Sequence, residues 1–346
     1  MTSVNKSNAQ VSSGWLLNAR VSTQGDSDCV SRTQVSTGSA SDRVSVLWLL
    51  QAIPLLCLLL LFPAPSQAQD DDDVVRVNTD LVVLNITVTD KAGAYVPGLR
   101  LADFKVYEDG KEVSPKLVSS FSVQEAPFAS VVLLDTSGSM ETRLSLGRSA
   151  AIRFLDGLRP EDVAAVFRFD SKVEQVQTFS GGRDLAPMAF GIRAKGMTTL
   201  YDAIVEAAKS LAEREETRKA IVVLSDGMDT FSKASSEKAV EAALAVGASI
   251  YAVDMSASNG GPRNQQSAMV LRSFAEKTGG RFVDTPGGPA LRDAFTSIAD
   301  ELGHQYTIAY RPPDQTRDGR WRTLEVKVSR EELKVRTRKG YRARRA

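Results

Sequence analysis

Short apolar runs alternate with amphipathic stretches between residues 129 and 302, and this alternation indicates the fold. The runs are rich in β-branched residues and continuous, which is typical of strands covered on both faces. They read SVVLLD, VAAVFRF, AIVVLSD, SIYAVDM and GRFVDT. Between them apolar residues recur at helical spacing, in the first case Leu146, Ala150, Phe154 and Leu158. The pattern predicts right-handed βαβ crossovers and an α/β fold with a doubly wound, largely parallel sheet over 129–302.

The flanking segments, 76–125 and 304–342, have the period-two pattern of half-buried strands. In LVVLNITVTD the apolar face comprises Val82, Leu84, Ile86 and Val88. In FKVYEDGKEV, Asp109 and Gly110 predict a hairpin turn between two short strands. We expect the two segments to pair into one small β-sandwich-like module into which the α/β domain is inserted. Two separate small β units are the alternative.

The N-terminal part has the pattern of a targeting region. The apolar run VLWLLQAIPLLCLLLLF follows Arg43, and Ser66 and Ala68 stand at the small-residue positions of a signal-peptidase site. We interpret 46–68 as a signal peptide, and therefore expect a secreted or periplasmic, cell-envelope protein. Because the run approaches the roughly 20 residues that span a bilayer, an uncleaved membrane anchor is the alternative. Residues 1–45 are too polar to fold and are interpreted as a disordered leader or a misassigned start.

Composition narrows the possible chemistry. The 346 residues include 43 Lys and Arg against 42 Asp and Glu, so no overall charge favours nucleic acid as a partner. The two cysteines, Cys29 and Cys57, lie in the polar leader and the apolar run and assemble no disulfide framework or zinc site. His304 is the only histidine, which removes most acid–base catalysis that depends on imidazole.

Oxygen-bearing side chains gather where the predicted strands end. Asp135 ends the first central strand in VVLLDTSGSM, and Ser137 and Ser139 follow on the loop. Thr198 in GMTTLYDAI precedes a helix, and Asp226 closes AIVVLSDG. Ligands of parallel sheets collect at this edge, so we expect these five side chains to meet. Hard oxygen donors select Mg²⁺, Mn²⁺ or Ca²⁺ over zinc or copper.

These motifs resemble the metal-ion-dependent adhesion site of von Willebrand factor type A domains, over about 130–302. The similar features are D-x-S-x-S in DTSGSM, the threonine of GMTTL and the aspartate of LSDG. With VPGLRLADFKVYEDGK before it and RTRKGY after it, the whole chain resembles the secreted von Willebrand type A related proteins of Acidobacteria. The resemblance implies a Rossmann-like fold and a divalent ion, usually Mg²⁺, whose open position takes an acidic side chain of a protein partner. It further implies direct ligation by Ser137, Ser139 and Thr198, with Asp135 and Asp226 acting directly or through water.

Simpler structural roles exist for each residue. An Asp or Ser after a strand often caps a helix, and Asp-Gly often marks only a turn. Thr199 and Asp202 match a capping box, so we assign Thr199 to the cap and Thr198 to the metal.

Three functions remain open from the sequence. The first is a non-enzymatic, metal-dependent module that binds a protein presenting Asp or Glu. The second is a metal-dependent phosphoester hydrolase, which is disfavoured because Ser137 stands where a phosphotransferase would carry a second aspartate. The third is a structural component of the cell envelope. We expect the first function, no catalytic residues, and no nucleic-acid partner.

Overall fold

The structure is a computed structural model that describes residues 81–123, 126–181, 196–256, 265–284, 289–330 and 332–345. These residues belong to one unit, Asp73–Ala346. The predicted leader (1–45) and signal peptide or anchor (46–68) lie outside the described residues. No helix among the described residues has both the length and the apolar composition needed to cross a membrane.

The strands are β1 (Val82–Thr89), β2 (Phe104–Glu108), β3 (Lys111–Glu112), β4 (Val118–Ser122), β5 (Phe128–Asp135), β6 (Val163–Phe169), β7 (Val173–Ser180), β8 (Arg218–Ser225), β9 (Ala248–Asp254), β10 (Phe282–Asp284), β11 (Tyr306–Tyr310), β12 (Trp321–Val328), β13 (Lys334–Arg336) and β14 (Gly340–Arg342). The α-helices are α1 (Leu144–Asp156), α2 (Leu200–Ala212), α3 (Ser236–Ala245), α4 (Gln265–Thr278) and α5 (Pro289–Gly303). Short 3₁₀ helices cover Leu101–Asp103, Pro115–Leu117 and Gly138–Arg143.

The central sheet has six strands in the order β10-β9-β8-β5-β6-β7. Neighbouring strands are parallel except β6 and β7, which are antiparallel. Every residue of β5, β8 and β9 is buried, as the continuous apolar runs predict for strands covered on both faces. The Rossmann-like, doubly wound, largely parallel α/β fold is therefore confirmed.

Five helices cover this sheet and bury two apolar clusters. Residues of α2, α3 and α4 pack on one face, and residues of α1 and α5 pack on the other. In α1 the buried Ala150 and Phe154 lie one turn apart, as the helical spacing predicts. Leu158, expected on the same face, is buried but lies beyond the end of α1 at Asp156.

The flanking segments form two four-stranded sheets around a third apolar core. Their strand orders are β13-β1-β11-β4 and β14-β12-β2-β3, so each sheet combines strands from before and after the α/β domain. The expected β-sandwich-like module is therefore present. Asp109 (φ 47°) and Gly110 (φ 77°) form the predicted turn between β2 and β3, and positive φ at both central residues is the geometry of a type I′ hairpin.

The β module is attached at the amino ends of the parallel strands. Arg218, the fully buried first residue of β8, donates from Nε to Thr307 Oγ1 of β11 at 3.0 Å. Asn85 of β1 donates to the carbonyl oxygen of Gly247, just before β9, at 3.2 Å. Within the α/β domain, Gly280 packs so closely on β9 that a Cβ there would overlap the carbonyl oxygen of Ile250. These contacts of the β module with β8 and with the residue before β9 lie at the amino ends of the strands, opposite their carboxyl ends.

Candidate metal-binding site

The first loop of the candidate site follows β5 directly. Asp135 is the last residue of β5 and is 2 % exposed. The backbone N–H of Ser137 donates to Asp135 Oδ1 at 2.9 Å, so the chain turns back over the carboxylate. The hydroxyl oxygens of Ser137 and Ser139 lie 3.1 Å apart at the start of the following 3₁₀ helix. The oxygens of D-x-S-x-S therefore form one cluster.

The loop after β8 reaches this cluster through Ser225 and Asp226. Ser225 Oγ donates to Asp135 Oδ2 at 2.6 Å and accepts from the N–H of Gly227 at 3.0 Å. Asp226 is 5 % exposed, and its Oδ1 accepts from the N–H of Met228 at 3.1 Å. Parallel pairing of β5 with β8 explains why these two distant aspartates lie at the same edge.

The third loop brings Thr198 to the same edge. Its neighbour Gly196 accepts a backbone hydrogen bond from Gly138 of the first loop at 3.2 Å. The backbone of Thr198 is fully used, because its N–H donates to Thr230 Oγ1 and its carbonyl accepts from the N–H groups of Thr230 and Phe231, all at 3.0 Å. The Thr198 hydroxyl makes no hydrogen bond to any described residue and is free to bind a ligand.

The capping-box prediction for the start of α2 is wrong. Thr199 is at the N-cap position, but its hydroxyl donates to the carbonyl oxygen of Asp170 at 2.9 Å and does not cap the helix. The first N–H groups of α2 donate instead to side chains of the loop after β8. Tyr201 N–H donates to Asp229 Oδ2 at 3.0 Å, and Asp202 N–H donates to Ser232 Oγ at 3.1 Å.

Asp202 also departs from the predicted role. Its two carboxylate oxygens accept from the N–H groups of Lys233 and Ala234 at 3.0 and 2.9 Å. The α2 terminus and the loop after β8 are therefore fixed to each other by reciprocal hydrogen bonds. Thr230 and Ser232 were not recognised in the sequence, where only the polar character of DTFS could have drawn attention to them.

Asp135 and Asp226 place two carboxylates in buried positions at this edge. Burial raises the pKa of Asp135 from its ordinary 3.8 to about 6, against hydrogen bonds from Ser137 and Ser225 that lower the pKa, and the nearby charge of Asp226 raises it further. Neither aspartate forms an ion pair with a lysine or arginine among the described residues. A cation bound between them would offset both the burial and the mutual repulsion.

The donor set fits a hard divalent ion. Two carboxylates and three hydroxyl groups supply only oxygen, the donor that Mg²⁺, Mn²⁺ and Ca²⁺ prefer. No group of three or more His, Cys, Asp or Glu side chains suited to a metal occurs among the described residues, so a site rich in nitrogen, sulfur or carboxylate is not found there. Asp135 and Asp226 would hold the ion together with the hydroxyls of Ser137, Ser139 and Thr198.

Exposed apolar side chains lie on two of the three loops. Met197, next to Thr198, is 54 % exposed, and Phe231, whose N–H is bound to Thr198, is 55 % exposed. Met228, two residues after Asp226, is 39 % exposed. Large apolar groups that stay in water beside a polar cluster are typical of an interaction surface.

The remaining polar residues singled out in the sequence lie at different places. Asp254 ends β9 beside Ser225 in the register, and one of its carboxylate oxygens is buried without a hydrogen-bond partner among the described residues. His304 stacks on Tyr95 of the β module with ring centroids 5.0 Å apart. The only imidazole of the chain is therefore engaged with the β module rather than with the three loops.

Residues 130–228 match the family model of the von Willebrand factor type A domain. None of the curated proteins compared with the chain matches it. Among solved structures, an aerotolerance-related membrane protein from Bacteroides fragilis is 18 % identical, with 51 % of this chain and 98 % of that chain covered and a TM-score of 0.44. A von Willebrand factor type A protein from Catenulispora acidiphila is 13 % identical over 78 % and 75 %, with a TM-score of 0.42. The PilB minor pilin from Streptococcus sanguinis is 16 % identical over 52 % and 62 %, with a TM-score of 0.41.

Proposed function

Because residues 130–228 match the family model of the von Willebrand factor type A domain, we propose that the chain is a divalent-metal-dependent protein-binding module that acts outside the cytoplasm. The residues proposed to hold the ion are Asp135, Ser137, Ser139, Thr198 and Asp226. The proposed ion is Mg²⁺, with Mn²⁺ or Ca²⁺ as alternatives. The proposed partner is a protein that presents an Asp or Glu side chain. The location rests on the sequence of 46–68.

One observation carries the proposal. Two neighbouring aspartates are held at the carboxyl edge of the sheet without an ion pair to any lysine or arginine among the described residues, and the free hydroxyl of Thr198 lies on a third loop at the same edge. A purely structural loop would leave the buried charge of Asp135 uncompensated, which costs stability. The arrangement is accounted for if a cation completes it.

The chemistry of the donors favours recognition of an acidic group. A bound divalent ion supplies an electrostatic attraction for a partner's carboxylate. The neutral hydroxyls of Ser137, Ser139 and Thr198 add no negative charge to the site, so a third carboxylate is less strongly repelled. Met197, Met228 and Phe231 would then contact apolar surface next to the acidic residue of the partner. Aromatic residues and methionine are enriched in protein interfaces.

Binding without catalysis is the function that the site supports best. Acid–base chemistry that depends on imidazole is not available at the three loops, because the only histidine stacks on Tyr95 of the β module. A panel of phosphoesters tests the hydrolase alternative. Turnover that requires Mg²⁺ and disappears in Asp135→Ala would favour hydrolysis over binding.

Capture of envelope proteins from the native cell tests the proposal. We expect a partner to be retained in Mg²⁺, released by EDTA and regained when Mg²⁺ is restored. Asp226→Asn should lose the partner, because the variant removes one of the two charges that hold the ion. Asp156→Asn, at the exposed end of α1, is the matched control and should retain it. Capture that is insensitive to EDTA and to Asp226→Asn would contradict the proposal.

A further inference from the structure

A second polar feature lies at the other end of the sheet. A cleft of about 420 Å³ opens between β1 and β13 of the β module and α4, α5 and the start of β10 in the α/β domain. Arg281, which immediately precedes β10, lines it, so the cleft lies towards the amino ends of the parallel strands. The candidate metal loops lie at the carboxyl ends. The cleft is therefore separate from the proposed metal site.

Basic side chains outnumber acidic ones in this cleft. Its charged lining residues are Arg272, Arg281, Lys334, Arg336, Glu276 and Glu301. The four basic groups face two carboxylates, although the whole chain carries a net charge of only +1. The cleft thus concentrates positive charge that the composition does not reveal.

The buried end of the cleft has one carboxylate for two guanidinium groups. Glu301 is 1 % exposed, and its Oε1 accepts from Arg336, from Tyr251 at 2.8 Å and from Thr87 at 3.2 Å. Arg281 Nε lies 3.7 Å from Glu301 Oε2, which is too long for a hydrogen bond. One negative charge therefore serves two arginines.

The hydrogen-bonding capacity of these two arginines is not filled by the protein. Arg281 donates to Ser297 Oγ at 3.0 Å, but its Nε has no hydrogen-bond partner among the described residues, and neither has Nη1 of Arg336. The two side chains keep 32 % and 33 % of their surface exposed. The two unpaired nitrogens are themselves buried, so a ligand in the cleft would meet the exposed parts of the two guanidinium groups.

The mouth of the cleft adds two more cations. Arg272 on α4 lies over the ring of Phe282 at 4.5 Å, which fixes its guanidinium beside the opening. Lys334 is exposed on β13 two residues before Arg336, and side chains two apart on a strand point to the same face. Glu276, one helical turn after Arg272, is the only acidic group among the exposed lining residues.

We propose that this cleft binds a small anionic molecule through a carboxylate or phosphate group. Guanidinium groups present donors in a planar fork that matches the oxygens of both groups. The volume is within the roughly 300–1,000 Å³ of small-molecule sites. Glu301 is hydrogen-bonded to Arg336 but not to Arg281. The anion would balance the positive charge that remains.

Titration of the EDTA-treated full chain with inorganic phosphate and, separately, succinate tests this proposal independently of the metal site. We expect saturable one-to-one binding of at least one of them at low ionic strength. Lys334→Gln should weaken it about three- to tenfold, as expected for removal of one nearby charge, and Glu276→Gln should tighten it by a similar factor. Lys111→Gln, an exposed lysine on β3 that does not line the cleft, is the matched control and should leave binding unchanged.

The pattern of binding identifies the ligand group. Binding of phosphate alone assigns the cleft to phosphate compounds, and binding of succinate alone assigns it to carboxylates. Absence of saturable binding by both anions would overturn the proposal, and so would equal effects of Lys334→Gln and Lys111→Gln. Because the substituted side chains are exposed, unchanged melting temperatures should show that the variants remain folded.

Discussion

Ser225→Ala tests a residue that supports the candidate site without being one of its proposed metal ligands. Ser225 is fully buried and is not proposed to bind the ion. Its hydroxyl joins two loops, because it donates to Asp135 Oδ2 at 2.6 Å and accepts from the N–H of Gly227 at 3.0 Å. Alanine removes both hydrogen bonds and leaves the strand backbone unchanged.

The size of the effect follows from these two hydrogen bonds. A hydrogen bond to a charged group contributes about 1.5–3 kcal/mol to stability, and the buried N–H of Gly227 would lose its partner. We therefore expect Ser225→Ala to lower the free energy of unfolding by about 2–3 kcal/mol. Groups that orient a metal ligand typically change metal affinity about 10–100-fold when they are removed, so we expect a loss of Mg²⁺ affinity in this range.

Calorimetric titration with Mg²⁺ and urea unfolding in EDTA measure the two effects. Ser130→Ala is the matched control, because Ser130 is also fully buried on β5 but lies near its amino end and makes only a long bond to Val163 O, at 3.5 Å. The control should bind Mg²⁺ like the wild type. If Ser225→Ala loses stability yet keeps wild-type Mg²⁺ affinity, the reasoning that Ser225 positions Asp135 for the ion is refuted.

Three further predictions follow from the same contacts. Thr198→Val should lose Mg²⁺ affinity and keep wild-type stability in urea with EDTA, because its hydroxyl makes no hydrogen bond to a described residue. Thr199→Val should lose about 1 kcal/mol of stability and retain Mg²⁺ binding, because it loses the hydrogen bond to Asp170 O. The reverse result would exchange the roles of the two threonines. In EDTA, Asp135→Asn should raise the free energy of unfolding by up to about 3 kcal/mol at pH 8. The pKa of Asp135 is about 6 in the folded chain and 3.8 ordinarily, so the wild type loses stability as the pH rises from about 4 to 6. Urea unfolding should therefore show this gain at pH 8 and no gain at pH 4. Gly280→Ala should cost about 3 kcal/mol in urea unfolding, because its Cβ would overlap backbone. Gly147→Ala in α1, with no atom closer than 4.0 Å, should instead add about 0.5–1 kcal/mol of stability. Equal effects of the two substitutions would contradict the close packing at Gly280.

The sequence predicts those parts of the fold in which local pattern and burial agree. β5, β8 and β9 are buried on both faces, and their continuous apolar runs are visible without any tertiary information. β7 is an antiparallel edge strand that is partly exposed along its length, so VEQVQTFS carries no comparable run, and it was not predicted. The pairing of β1 with β11 was expected only as a pairing of segments, because strand partners depend on contacts across more than 200 residues.

The candidate site shows the same division. D-x-S-x-S is a local motif, and its convergence with Asp226 follows from the rule that parallel strands end at one edge. The capping of α2 by Asp229 and Ser232 joins positions about 30 residues apart, so the local capping-box pattern gave the wrong partner for Thr199. The arginine pair around Glu301 has no local pattern at all, because each residue alone is an ordinary charged position.

A crystal structure with Mn²⁺, located by its anomalous scattering, tests the central claim most directly. Mn²⁺ is a hard ion that accepts the same oxygen donors as Mg²⁺. We predict one strong anomalous peak at the carboxyl edge of the sheet, in contact with the hydroxyl oxygens of Ser137 and Ser139 and surrounded by Asp135, Thr198 and Asp226. No peak at this edge under saturating Mn²⁺, or a peak that contacts none of these oxygens, would contradict the account.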